Sequence, residues 1–225
     1  MSAAEGGRGE QTRRAILQAA EECFAARGPA GASTREIAAT AGVTQPLVLH
    51  YFGSKDALFR EVIDGAVARL QAAQAHALSE ETDPLDFIVL GLVGLVRETG
   101  RNRRILRLAT WARLQGNVPF TPAAGRFWGE VAARFEAARS RGIVREELDL
   151  QATLVVLDAA VKGFWERHDA YTSVGLLAGE GTGRPEGDGD RRGVRALLYL
   201  LVRGVVAPPH LAEAERRLAE ALIVR

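Results

Sequence analysis

The chain has 225 residues, 47% of them hydrophobic and 25% charged, with a formal net charge of +1 at pH 7. That composition suits a soluble globular protein with a sizeable core, in one large domain or two small ones, and it excludes a protein that gathers nucleic acid through an overall positive field. A single cysteine, Cys23, excludes an intrachain disulfide framework and fits a reducing cytoplasm, and the longest apolar run, about residues 85–96, is too short and too broken by Asp86 and two glycines to cross a bilayer.

The opening residues, MSAAEGGRGEQTRR, lack the apolar segment of a secretory signal. Ile16, Ala19, Ala20, Cys23 and Phe24 then share one face, which predicts a first helix over roughly 10–27. Gly28-Pro29 ends it, because glycine suits the position after a helix and proline cannot continue one. Ser33 opens the pattern S-x-x-E with Glu36, a capping box for a second helix over about 34–41. Gly42 supplies a tight turn, Thr44 caps a third helix over about 45–51, and Ser54 caps a fourth that runs to about 78. Further helices are expected near 84–99, 102–116, 122–141, 150–172, 190–206 and 209–223, with breaks at Asp83-Pro84, Gly100, Gly116 to Pro122, Gly142 and Pro208-Pro209. Residues 179–190, GEGTGRPEGDGD, are polar and glycine-rich and are expected to form a mobile loop. Strand alternation and internal repeats are absent from the pattern. The expected fold is all-α: a three-helix helix-turn-helix head, residues 1–58, joined through the fourth helix to a larger helical body, residues 59–225.

Two short helices joined by Ala41-Gly42-Val43 form the helix-turn-helix pattern, over about 33–52, whose second helix enters the DNA major groove. On that second helix Val48 and Phe52 are four residues apart. They are expected to point inward with Val43, toward Ile37, Ile16 and Phe24. Gln45, Pro46, Leu47 and Leu49 then face outward. Apolar side chains there can touch thymine methyl groups, and glutamine can pair bidentately with adenine. Leu47 and Leu49 have a second role open to them, covering a neighbouring helix.

Residues 10–58 resemble the N-terminal domain of the TetR family of bacterial transcriptional regulators. The matching residues are Thr34, Ile37, Ala38, Ala41-Gly42-Val43, Thr44-Gln45-Pro46, His50-Tyr51-Phe52 and Ser54-Lys55-Asp56-Ala57-Leu58. The resemblance implies a recognition helix carrying Thr44, Gln45, Pro46, Leu47 and Leu49, with Thr34, His50, Tyr51 and Lys55 on phosphates. Thr34 and Lys55 each stand at a helix N-terminus, where free N–H groups and the helix dipole favour an anion. His50 and Tyr51 keep a packing role as an alternative. The chain departs from the family at Leu49, where the usual tyrosine contacts the DNA backbone through a hydroxyl that leucine lacks. Arg8, Arg13 and Arg14 form an N-terminal arm, read either as added backbone or minor-groove contacts or as a disordered tail.

The same resemblance implies a homodimer through a four-helix bundle of the helices near 150–172 and 190–206. It also implies a ligand pocket in the body. The first helix carries Leu154, Leu157, Ala160, Val161, Phe164 and Trp165, and the second Val194, Leu197, Leu198, Leu201 and Val205. Each stripe serves core, interface or both. Candidate pocket residues are Trp111, Phe120, Phe127, Trp128, Phe135, Trp165, His168 and Tyr171, each with plain core as its alternative; Trp165 and His168, three apart, lead them. The expected function is that of a repressor released from a palindromic double-stranded DNA operator by a small molecule. The sign of regulation is open, and the alternative is a helical ligand-binding or interaction protein whose head does not bind DNA. The chain has no G-x-x-x-x-G-K-[ST], no H-E-x-x-H and no nucleophile elbow, and its four histidines are scattered. No enzymatic activity, metal or cofactor is expected.

Overall fold

The computed structural model describes residues 3–76, 83–116, 122–177 and 188–223. These form α1 (Ala3–Gly31), α2 (Thr34–Thr40), α3 (Gln45–Phe52), α4 (Lys55–His76), α5 (Pro84–Arg101), α6 (Arg103–Leu114), α7 (Pro122–Ser140), α8 (Leu150–Ser173), α9 (Asp188–Val205) and α10 (Leu211–Ile223), with a short 3-10 turn at Pro208–His210. The protein is all-α. Extended pairing among the described residues is limited to one antiparallel bridge between Val144 and Val206. The expected loop over 179–190 lies outside the described residues as far as 187, and its last three residues open α9. Phe120 also lies outside them.

The chain divides into two compact units, one of residues 1–69 and 104–121, the other of residues 70–103 and 122–225. Sequence pattern alone ended the head at residue 58. The first unit runs further because α4 buries Leu58, Phe59, Val62, Ile63 and Ala66. Phe59 meets Phe24 of α1 edge to face, with ring centroids 5.0 Å apart. Full burial of a phenylalanine stabilises by roughly 1.5–3 kcal/mol. Ion pairs from Arg13 to Glu61 and from Arg69 to Glu21 tie the same two helices at the surface. Two of the three N-terminal arginines are engaged in the fold: Arg13 is also 5.3 Å above the Phe52 ring, and Arg14 pairs with Glu10 within α1.

At Gly28, φ of 69° breaks the helical run of α1 before Pro29. The site has no room for a side chain, since a Cβ there would come within 2.7 Å of Cε2 of Trp111. Trp111 belongs to α6, which buries Ile105, Leu108 and Ala112. Arg104 of α6 lies 3.7 Å from Glu22 of α1. Most of α6 is thus part of the unit that contains the head.

In the second unit α5 is central and packs against α7, α8, α9 and α10. It buries Leu85, Phe87, Ile88, Val89, Leu92, Val93 and Val96, more than one face, as a central helix must. Asp83 caps its N-terminus by accepting from Leu85 N and Asp86 N. Arg217 of α10 donates to Asp83 at 2.6 Å and lies 2.9 Å from Asp86. Burial pushes the Asp83 carboxyl up, but Arg217 and the two amides outweigh it and hold the group below its ordinary value. On α8, Trp165 is buried and donates from Nε1 to the Val96 carbonyl at 2.8 Å. The Arg103 guanidinium covers its ring at 4.6 Å and pairs with Asp169 at 2.7 Å.

Candidate functional site

The candidate recognition surface is built by local rules. Ser33 Oγ accepts from Glu36 N at 3.2 Å, and Ser33 N donates to Glu36 Oε2 at 3.1 Å, so the capping box starts α2 as its sequence requires. These bonds, with Arg27 at 2.8 Å, hold the Glu36 carboxyl below its ordinary value. Gly42, at φ 69°, then reverses the chain, and Val43 N donates back to the Ala38 carbonyl at 2.9 Å. Helix α3 follows with Pro46 in its first turn. Thr44 occupies the cap position without making a side-chain capping bond, contrary to expectation. Pro46 removes one of the N–H groups that such a cap would satisfy, which leaves the Thr44 hydroxyl uncommitted to the helix.

Val48 and Phe52 are buried, at 1% and 8% exposure. Thr44, Gln45, Pro46, Leu49 and His50 are exposed, and Leu47 and Tyr51 are half-buried. Leu49 exposes 39% of its surface. Tyr51 stacks edge to face with His50, and its hydroxyl lies beside Gly9 of α1.

Two contacts were not legible in the pattern. Gln45 Nε2 donates to Thr34 Oγ1 at 2.9 Å, joining a base-reading candidate to a phosphate candidate. Lys55 Nζ donates to the Ala32 carbonyl at 3.2 Å, so this cation also clips the start of α4 to the end of α1. Ser54 Oγ accepts from Ala57 N at 3.1 Å and completes the N-terminus of α4 beside it.

The pocket candidates separate. In the second unit an apolar cavity, partly open to solvent, lies between α5, α7 and α8. Phe127, Trp128 and Phe135 line it, together with Phe87 and Asp158, which the sequence pattern did not single out. A signal for Phe87 was present. Gly91 and Gly94, one turn apart, share its face of α5 and also line the cavity. Two glycines inside one helix cost about 1 kcal/mol each and call for a packing or functional reason. Trp111, Trp165, His168 and Tyr171 do not line this cavity. Trp111 packs against Gly28 in the other unit. Trp165 and His168 are core, at 8% and 3% exposure: Trp165 turns toward Val96 and Arg103, and His168 packs on the rings of Phe164 and Trp165 along α8. Tyr171 is exposed at the end of α8.

On α8 and α9 the residues expected to form interface stripes are largely inward: Leu154, Leu157, Val161, Trp165, Leu198 and Val205 are buried. The exposed apolar residues are their neighbours Val155, Val156 and Leu200, at 68%, 63% and 71% exposure. Ala152 and Ala159 are exposed beside the two valines, and Ala196 is exposed one turn before Leu200.

Comparison with known proteins agrees with this geometry. Residues 16–62 match the family model described as bacterial regulatory proteins, tetR family. An HTH-type transcriptional repressor of Mycobacterium tuberculosis strain H37Rv is 36% identical over 155 residues, which cover 69% of this chain and 71% of the relative. The AcnR repressor of Corynebacterium efficiens is 27% identical over 173 residues, covering 74% and 87%. Among solved structures, a gamma-butyrolactone receptor matches with a TM-score of 0.69 at 22% identity, covering 96% of this chain and 98% of the receptor. A transcriptional regulator of Streptomyces coelicolor matches with a TM-score of 0.66 at 24% identity, covering 86% and 98%. At these identities the structural likeness is one of fold.

Proposed function

Because the chain belongs to the TetR family of bacterial regulatory proteins, we propose that it is a sequence-specific DNA-binding repressor released from a palindromic operator by a small molecule. The observation that carries this reading is the split on α3: Val48 and Phe52 are held in the core while Thr44, Gln45, Pro46 and Leu49 are offered outward together. Gln45 reads an adenine and the apolar side chains meet thymine methyls. Thr34 and Lys55, at the N-termini of α2 and α4, hold phosphates, with His50 and Tyr51 at the edge of the same surface. At a net charge of +1, affinity rests on these local contacts.

The unit containing α1 to α3 and most of α4 binds DNA. The other binds ligand and pairs two copies. A dimer is needed because one head contacts one half-site, and two heads must meet half-sites about 34 Å apart. The outward faces of α8 and α9, with Val155, Val156 and Leu200, supply an apolar surface for that pairing. The cavity lined by Phe87, Phe127, Trp128 and Phe135 takes the ligand. If the ligand lowers affinity for DNA, DNA must lower affinity for the ligand by the same factor. No helix among the described residues is long and apolar enough to cross a membrane, and the protein works in the cytoplasm beside its operator.

The test is selection of bound duplexes from a random pool at two salt concentrations. An enriched inverted repeat whose recovery falls with salt is the expected result. An intact protein that enriches no repeat would overturn the DNA-binding reading. Sedimentation as a monomer at micromolar concentration would overturn the dimer.

A further inference from the structure

The walls of the cavity say more than that a ligand enters. Among the described residues that line it, Asp158 of α8 carries the only formal charge, and the indole N–H of Trp128 is the only other polar side-chain group. Aromatic rings supply much of the wall. Phe87 and Phe135 meet edge to face at 5.5 Å, and Phe127 and Trp128 at 5.4 Å. Ring faces carry partial negative charge and attract cations. Phe87 already holds one, since the Arg134 guanidinium lies 4.3 Å above its ring. The one formal charge on the wall is negative, and a carboxylate accepts hydrogen bonds without donating any. Asp158 is paired with Lys162, one turn further along α8, at 2.6 Å. Neither Lys162 nor Arg134 is part of the lining. A ligand carboxylate entering this space would meet aromatic faces and the Asp158 carboxylate, with the Trp128 indole N–H as the one side-chain donor among the lining residues and no lining cation to receive it. An ammonium group would meet a carboxylate that can turn from Lys162 to the ligand, within walls that favour positive charge.

Resting on the reading of this cavity as the ligand site, we propose that it selects an aromatic-bodied amine, with the ring system between Phe87, Phe127, Trp128 and Phe135 and the ammonium on Asp158. Anionic ligands of the same shape are discriminated against.

The experiment is titration calorimetry with three probes of one shape: naphthylmethylamine, naphthalenemethanol and naphthoic acid, substituted at the same ring position. The amine binds tightest and the acid weakest. Asp158→Asn weakens the amine by about tenfold, the scale of a lost charge-assisted hydrogen bond, and leaves the alcohol within about threefold. Lys162→Met acts in the opposite direction. It removes the competitor for Asp158 and tightens the amine, a gain that a merely damaged fold cannot give. Phe127→Ala weakens all three probes. Tightest binding by the acid, or equal effects of Asp158→Asn on amine and alcohol, would overturn the amine preference and leave the cavity as the ligand site. If no probe shows binding that Phe127→Ala weakens, the cavity itself is not the ligand site and both readings fall.

Discussion

Alanine at Gly28 and alanine at Gly42 form a matched pair. Both glycines have φ of 69°, so each substitution forces a Cβ into the left-handed region. That conformation alone costs about 1–2 kcal/mol. At Gly42 a Cβ would meet nothing within 4 Å, so Gly42→Ala carries only this cost. At Gly28 the Cβ would lie 2.7, 2.8 and 2.9 Å from Cε2, Cδ2 and Cζ2 of Trp111. These are atoms of a fused ring, which cannot bend aside as a flexible chain end does. The clash adds the cost of overpacking, about 1–3 kcal/mol. Gly28→Ala should therefore destabilise by about 2–5 kcal/mol, more than Gly42→Ala in every case. Urea unfolding followed by far-ultraviolet circular dichroism measures both. Repeating the Gly28 substitution in a Trp111→Leu background isolates the contact: the loss should fall to the Gly42 value, leaving a coupling of about 1–3 kcal/mol. Equal losses at the two glycines, or no coupling to Trp111, would show that α6 does not press on the end of α1.

Lys55→Ala should weaken binding to all duplexes and lower the slope of log affinity against log salt by about one. An unchanged slope, read by fluorescence anisotropy, would leave Lys55 only its clip to the Ala32 carbonyl. Gln45→Ala should relax preference at one base pair of each half-site by about 1–3 kcal/mol, and an unchanged selected sequence would remove Gln45 from the bases. Arg217→Met should cost stability at neutral pH and progressively less in acid. Hydrogen bonds from Arg216 and Arg217 hold Glu213 at about 2 against an ordinary 4.5. Its folded value is depressed, so the stabilisation is complete above about pH 4.5 and is lost as pH falls toward about 2. Asp83 shifts the same way. The gap in thermal midpoint between wild type and variant should narrow between neutral pH and about pH 3, and a constant gap would refute the link.

The head was legible because its rules are local. The Ser33–Glu36 box spans four residues, the turn needs one glycine, and the inward pair Val48 and Phe52 is one helical turn apart. Where structure depends on residues far apart in the chain, the pattern misled. Trp111 reads as a pocket aromatic until Gly28 is found against it. Trp165 and His168 share a face that turns into the core, and periodicity names a face without saying what it meets. For the same reason Val155, Val156 and Leu200 went unnoticed beside more regular apolar stripes. The cavity needs three helices at once: the aromatics Phe127, Trp128 and Phe135 of α7 were legible as candidates, and the glycines at 91 and 94 hinted at the facing wall of α5.

The return of α6 to the unit of the head has a consequence for how such a protein can be rebuilt. The polypeptide crosses the boundary between the two units after residues 69, 103 and 121. A single crossover at residue 58 or 69, whether made in a gene by recombination or by a designer fusing one regulator's head to another's body, imports a foreign α6. Gly28 then meets whatever the donor carries at the position of Trp111. In this chain the match of Gly28 to Trp111 is kept only when residues 1–69 and 104–121 are exchanged together, so a change of operator specificity is more readily reached by substitutions on α3 than by a single-crossover swap.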